Sequence, residues 1–126
     1  MKFRTAVTAV TLTIGSMAVL PTLSASAAWS DCPSAKVCLF QNSGGGGELL
    51  KTRSTGGGRV DVGAAADNRT SSWWNRTGGG ARWYPGLTSD KESDCFSMPA
   101  GVQQSYTSSQ LTLNDRASSW ATNGNC

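Results

Sequence analysis

The chain has 126 residues, 38% hydrophobic and only 15% charged, with 15 glycines, four cysteines, five tryptophans and no histidine. That length builds one small domain, and the missing histidine excludes Ser-His-Asp and Cys-His nucleophile systems and every His-ligated metal site. The formal charge of +3 comes without a lysine run or an arginine-rich stretch, so counterion release adds little affinity and nucleic acid is excluded as a partner.

The first residues read as a secretory signal. Lys2 and Arg4 give a positive start, residues 6–20 are mostly apolar, Pro21 breaks the run, and Ala25-Ser26-Ala27 offers a small-x-small cleavage pattern. The apolar run is shorter than the roughly 20 residues of a spanning helix. Cleavage is expected before Ala28, giving residues 1–27 as signal and 28–126 as a single domain with no membrane segment. The mature chain then keeps nine basic and eight acidic residues in 99, close to neutral. It is expected to be extracellular and monomeric.

Cys32, Cys38, Cys95 and Cys126 all lie in that mature part. An even cysteine count in a small exported chain reads as a disulfide framework. Three pairings are open; the short Cys32–Cys38 spacing with Pro33 between favours that bridge and leaves Cys95 for Cys126. A four-thiolate metal site lacks any C-x-x-C pair, so no zinc is expected, and no organic cofactor.

Sustained helical spacing is absent from the mature chain. Short β-type runs separated by glycine, serine and asparagine occur at residues 37–40, 49–52, 60–62, 72–74, 82–84, 95–98, 102–106, 111–113 and 119–121. They predict an all-β sandwich or small barrel. Residues 67–73, Asp-Asn-Arg-Thr-Ser-Ser-Trp, lie over residues 114–120, Asn-Asp-Arg-Ala-Ser-Ser-Trp, at an offset of 47. Two copies suit two pseudo-symmetric halves, residues 37–76 and 81–122, each covering the apolar face of the other.

Both copies read [N/D]-[N/D]-x-x-[S/T]-S. This resembles the calcium motif of microbial βγ-crystallin domains, which are double Greek-key sandwiches. The opening Cys32-Pro33-Ser34-Ala35-Lys36-Val37-Cys38-Leu39-Phe40, followed by Gln41-Asn42 and glycines, resembles small secreted actinobacterial proteins grouped as peptidase inhibitor family I36. That resemblance implies a disulfide-bonded crystallin-like sandwich whose partner is a secreted protease of metalloproteinase type. The pattern departs in the first hairpins: Gly45 stands where a second aromatic belongs, and Ser89 and Lys91 replace the aromatic and glycine in the second half.

The resemblance also implies calcium ligands. One site would use Asn68, the Arg69 carbonyl and Ser71, and the other Asp115, the Arg116 carbonyl and Ser118. Crossing oxygens would come from Gln41 or Glu48, or from Asp90 or Glu92. Few formal negative charges mean weak binding, with Kd of about 10⁻⁴–10⁻³ M, at up to two sites. Asx and Ser side chains also make such turns with no metal. The sequons at Asn68 and Asn75 are read as coincidental.

Three function classes follow. An inhibitor needs a rigid, extended, substrate-like loop, and the candidate runs from Pro85 to Asp94 beside Cys95, with Leu87 as its apolar anchor. A calcium module without inhibition is the second class. A binder of cell-surface glycan, or a toxin, is the third; adjacent strand residues Trp73 and Trp74 point to opposite faces, so Trp74 is the exposed aromatic candidate. No spacing singles out a catalytic carboxylate pair, so no enzyme is expected.

Overall fold

A computed structural model describes residues 27–90, 94–106 and 112–126. Residues 1–26 of the expected signal at 1–27, and Glu92 among the candidate ligands, lie outside the described residues. Eight strands are present there: β1 (Lys36–Phe40), β2 (Leu49–Ser54), β3 (Val60–Asp61), β4 (Ser72–Asn75), β5 (Ala81–Tyr84), β6 (Phe96–Met98), β7 (Gln103–Ser105) and β8 (Ser119–Ala121). No α-helix occurs among the described residues, and no described helix is long and apolar enough to cross a membrane.

The strands form two four-stranded antiparallel sheets in the orders β2-β1-β4-β7 and β3-β8-β5-β6. Each sheet therefore takes three strands from one half of the chain and one from the other. β3 leaves the first half to pair with β8, Val60 facing Trp120, and β7 leaves the second half to pair with β4, Gln104 facing Trp73.

Side-chain alternation decides which residues meet between the sheets. Leu39 faces Trp73, and Trp83 faces Trp120, all directed inward, while Cys38 and Trp74 form the neighbouring outward pair. Trp73 and Trp120, equivalent in the repeat, are each 1% exposed and join Val37, Val62, Met98 and Tyr106 in one core. A smaller cluster on the outer face of the first sheet holds Cys32, Cys38 and Phe40, with Trp29, Leu49 and Trp74 packed against it. Trp29 meets Phe40 edge-on at 5.2 Å. Its ring lies so close to Gly45 that a Cβ there would stand 2.6 Å from it, and Gly45 also has φ of 73°, so that position requires glycine.

The disulfides join Cys32 to Cys38 and Cys95 to Cys126, with Cα atoms 5.8 and 5.7 Å apart. The first pins the N-terminal segment to β1. The second ties the last residue to the chain entering β6. The expected strand at residues 111–113 is corrected: Thr112 and Leu113 lie in a turn, and Leu111 falls outside the described residues. The turn's carbonyl at Thr112 accepts a hydrogen bond from Arg116 Nη1 at 2.8 Å, which the sequence pattern of alternating Leu and Thr does not reveal.

Candidate functional site

The two repeated loops lie against each other, related by the same offset that relates their sequences. Asn68 N–H donates to Ala117 O at 3.1 Å, and Asp115 N–H donates to Thr70 O at 2.9 Å. Asn68 and Asp115 both adopt left-handed backbone, φ 53° and 55°, a conformation Asx residues tolerate. Arg69 and Arg116 each fold back onto the carbonyl four residues earlier, Ala65 and Thr112.

This docking rearranges the expected ligand sets. Ser71 Oγ donates to Asp115 Oδ1 at 3.0 Å, and Ser118 Oγ donates to Asn68 Oδ1 at 3.4 Å. Each serine thus meets the Asx of the other copy, and the two expected ligand groups lie crosswise against each other. The loops arrive from opposite halves, and their backbone bonds leave each Asx side chain over its neighbour's strand entry.

A cavity of about 320 Å³ opens beside Ser71 and Asp115, lined by Gln41, Asn42, Asn68, Arg69 and Asn114. Its donors are hard oxygens of the kind calcium takes. The repeat-equivalent Asp67 Oδ1 and Asn114 Oδ1 are both buried without a hydrogen-bond partner. Against this, Asp115 is the one carboxylate of the lining, and Arg69 brings a positive charge. Glu48 is not in the lining; it accepts from Arg69 Nη2 at 3.2 Å. Among the described residues no three of His, Cys, Asp and Glu gather. The residues fit calcium in donor type and are short of charge. Asp90 is engaged elsewhere, as follows.

The loop after β5 is held by hydrogen bonds from every side. Arg59 Nη2 donates to Gly86 O at 3.2 Å and Leu87 O at 2.8 Å, and Arg59 Nη1 donates to Asp90 O at 3.5 Å. Ser119 Oγ donates to Gly86 O at 2.6 Å. Leu87 N–H donates to Asp90 Oδ2 at 2.8 Å, and Thr88 N–H donates to Asp61 Oδ1 at 2.7 Å. Asp90 N–H closes a turn onto Leu87 O at 2.9 Å. The backbone here is a turn rather than the extended loop that the inhibitor class calls for, and its polar groups are satisfied within the molecule. Pro85 is half-buried, Leu87 is 40% exposed, and Asp94 is exposed beyond residues 91–93, which the structure does not describe.

Arg59 and Asp61 were missed in the sequence. They flank Val60, Arg59 just before the two-residue strand β3 and Asp61 at its end, and nothing in that local pattern connects them with a loop 27 residues later. Arg59 also sits over the Tyr84 ring, 3.9 Å from its centroid, and its Nε donates to Ser119 Oγ at 2.9 Å.

Trp74 does not stand exposed. It is half-buried, with Trp29 edge-on at 6.3 Å and the Arg76 guanidinium 4.5 Å above its ring. Arg76 is itself fixed by donating to Cys32 O at 2.6 Å, so the disulfide-pinned N-terminal segment and Arg76 cover the ring that a sugar would need. At the Asn75 sequon, the side chain is fully buried.

Residues 25–96 match the family model for peptidase inhibitor family I36. No curated protein and no solved structure matches the chain. The match spans more than half of the sequence, from just before the described N-terminus through Cys32–Cys38, strands β1 to β5 and the loop after β5, as far as the first residue of β6. The chain belongs to peptidase inhibitor family I36.

Proposed function

We propose that the protein is an extracellular inhibitor of a metalloproteinase-type peptidase, built on a crystallin-like double Greek-key sandwich. The strand orders β2-β1-β4-β7 and β3-β8-β5-β6, with one strand exchanged per half, support that reading of the fold. Two disulfides and a signal-like N-terminus support export. Neither bears on the target.

The inhibitory reading is carried by one observation: the turn of residues 87–90 is fixed by its own molecule while the Leu87 side chain projects from it, 40% exposed. A loop already ordered loses little entropy on binding, so an apolar anchor there contributes its full burial. Because its backbone is turned and internally paired, Leu87 acts as a side-chain anchor in an apolar pocket and not as part of an added strand. Assay of the mature protein against thermolysin-type and subtilisin-type peptidases tests this. Inhibition of the thermolysin type is expected, and Leu87→Ala should raise Ki about 10- to 100-fold, the range of an interface hot spot. Equal Ki for Leu87→Ala and wild type would remove the assigned anchor.

A calcium-binding role is a second reading, favoured by the oxygen-lined cavity at Ser71 and Asp115. Asp115 supplies the charge, with Ser71, Asn68, Gln41 and Asn114 as neutral donors. Binding would neutralise Asp115 and join the two halves at their loops. Calorimetric titration should give one weak site, Kd about 10⁻⁴–10⁻³ M, abolished in Asp115→Ala. Heat equal to dilution at millimolar calcium would dismiss it.

A further inference from the structure

We infer that Arg59, just before the exchanged strand β3, and Asp61, on it, are the positioning residues that keep the loop of residues 86–90 closed both before and after a peptidase cuts it. This rests on the inhibitor reading for its purpose, and on the geometry alone for the clamp. The two residues hold opposite sides of one peptide bond. Arg59 Nη2 holds the Leu87 carbonyl at 2.8 Å, and Asp61 Oδ1 holds the Thr88 N–H at 2.7 Å. The preceding bond is gripped in the same sense: Gly86 O accepts from Arg59 Nη2 at 3.2 Å, and Leu87 N–H is held by Asp90 Oδ2 at 2.8 Å.

The sign of the charges gives this arrangement its consequence. Hydrolysis of Leu87–Thr88 adds water across the bond. The C–N bond breaks, the water oxygen joins the carbonyl carbon, and both water protons end on nitrogen, so the products are a Leu87 carboxylate and a Thr88 ammonium. The carboxylate forms on the guanidinium and the ammonium forms on the Asp61 carboxylate. Each hydrogen bond, already assisted by one charged partner, becomes an ion pair with both partners charged. Cutting Gly86–Leu87 has the same outcome, with Asp90 receiving the ammonium. The new ends are therefore held where the intact bond stood, which keeps the nicked loop closed.

No covalent link does this work. Cys32–Cys38 lies wholly before the bond and Cys95–Cys126 wholly after it, so neither disulfide spans a cut at residue 86, 87 or 88. Arg59 is rigid enough for the task because its Nε is bound to Ser119 Oγ and its plane lies over Tyr84. A lysine would keep the charge but lose the fork that reaches two carbonyls at once.

The test uses the mature protein, wild type, Arg59→Gln and Arg59→Lys, with Asp61→Asn as a second variant should Arg59→Gln fail to fold. Amide hydrogen exchange is read at Leu87, Thr88 and Asp90, and the intact-to-nicked ratio is read at equilibrium with catalytic thermolysin. In Arg59→Gln, or Asp61→Asn in its place, exchange at Leu87 and Thr88 should rise about tenfold with β1 and β4 amides unchanged. The ratio should shift about tenfold toward the intact form, because the nicked ends lose an ion pair where the intact bond loses only a hydrogen bond, with Arg59→Lys intermediate. Exchange and ratio within twofold of wild type would overturn the clamp, even if the wild type inhibits. Conversely, a wild type that inhibits no peptidase but shows the exchange difference would refute the inhibitor reading and leave the clamp standing.

Discussion

Asn75 shows how a single polar side chain can hold a small sandwich together. Its Nδ2 donates to Gly79 O at 2.8 Å and Met98 O at 2.7 Å, while Oδ1 accepts from Thr77 N–H at 3.0 Å and Thr77 Oγ1 at 2.7 Å. All four of its hydrogen-bonding capacities are filled at full burial, which links the end of β4, the following glycine turn and β6. Thr70 is the contrast: its hydroxyl is buried with no partner, and alanine stands at the equivalent position, 117, of the other copy. Replacing Asn75 by Ala would strand buried groups on three segments. The expected cost is about 2–4 kcal/mol, from several hydrogen bonds lost and their partners left unsatisfied. Urea denaturation of wild type and Asn75→Ala measures it, and a difference below 1 kcal/mol would show that the partners find water instead.

At the level of elements, β1, β4, β5 and β8 could be read directly from the sequence because apolar and aromatic residues mark them. The repeat of Arg-x-Ser-Ser-Trp makes Trp73 and Trp120 equivalent, and both lie in the core. The exchanged strands were a different matter. β3 is Val60-Asp61 and β7 is Gln103-Gln104-Ser105, too short and too polar to show which sheet claims them. Their place is set by pairing with distant strands, a tertiary effect that local propensity does not contain. The same limit hid Arg59 and Asp61. It also hid the crosswise meeting of Ser71 with Asp115, which depends on how two halves dock. The turn at Thr112 repeats the one at Ala65, where both carbonyls accept from the arginine four residues on. Each exchanged strand serves the hairpin loop of the half it joins. Arg59 and Asp61 hold the loop after β5, while Ser105 Oγ accepts from Gly44 N–H at 2.7 Å, and Tyr106 O accepts from Ser43 Oγ at 2.9 Å in the loop after β1. The exchange thus positions both loops at once.

For the molecule as a whole, Tyr106 is the point where the two sheets share a titratable group. It follows β7 of one sheet, accepts from Trp73 Nε1 of β4 at 3.1 Å, and meets the Trp83 ring of β5, in the other sheet, edge-on at 5.9 Å. Burial away from water pushes its phenol up to about 12, against an ordinary value of 10.0, and the hydrogen bond from Trp73 only partly offsets this. Between those two values the unfolded chain has lost the phenolic proton and the folded chain still binds it. Folding stability therefore falls as pH rises through that window, by about 1.4 kcal/mol per pH unit from this group. Below pH 10 the contribution is flat. Because the phenolate would be created between both sheets, its expulsion should unfold them together, giving one alkaline transition by tryptophan fluorescence and far-ultraviolet circular dichroism alike. Tyr106→Phe should be less stable at pH 7, having lost the acceptor for Trp73, yet should show a shallower fall between pH 10 and 12. Parallel stability curves for the two proteins across that window would mean that Tyr106 does not drive the alkaline loss. Separate transitions for the two probes would mean that the exchanged strands do not make the sheets one cooperative unit.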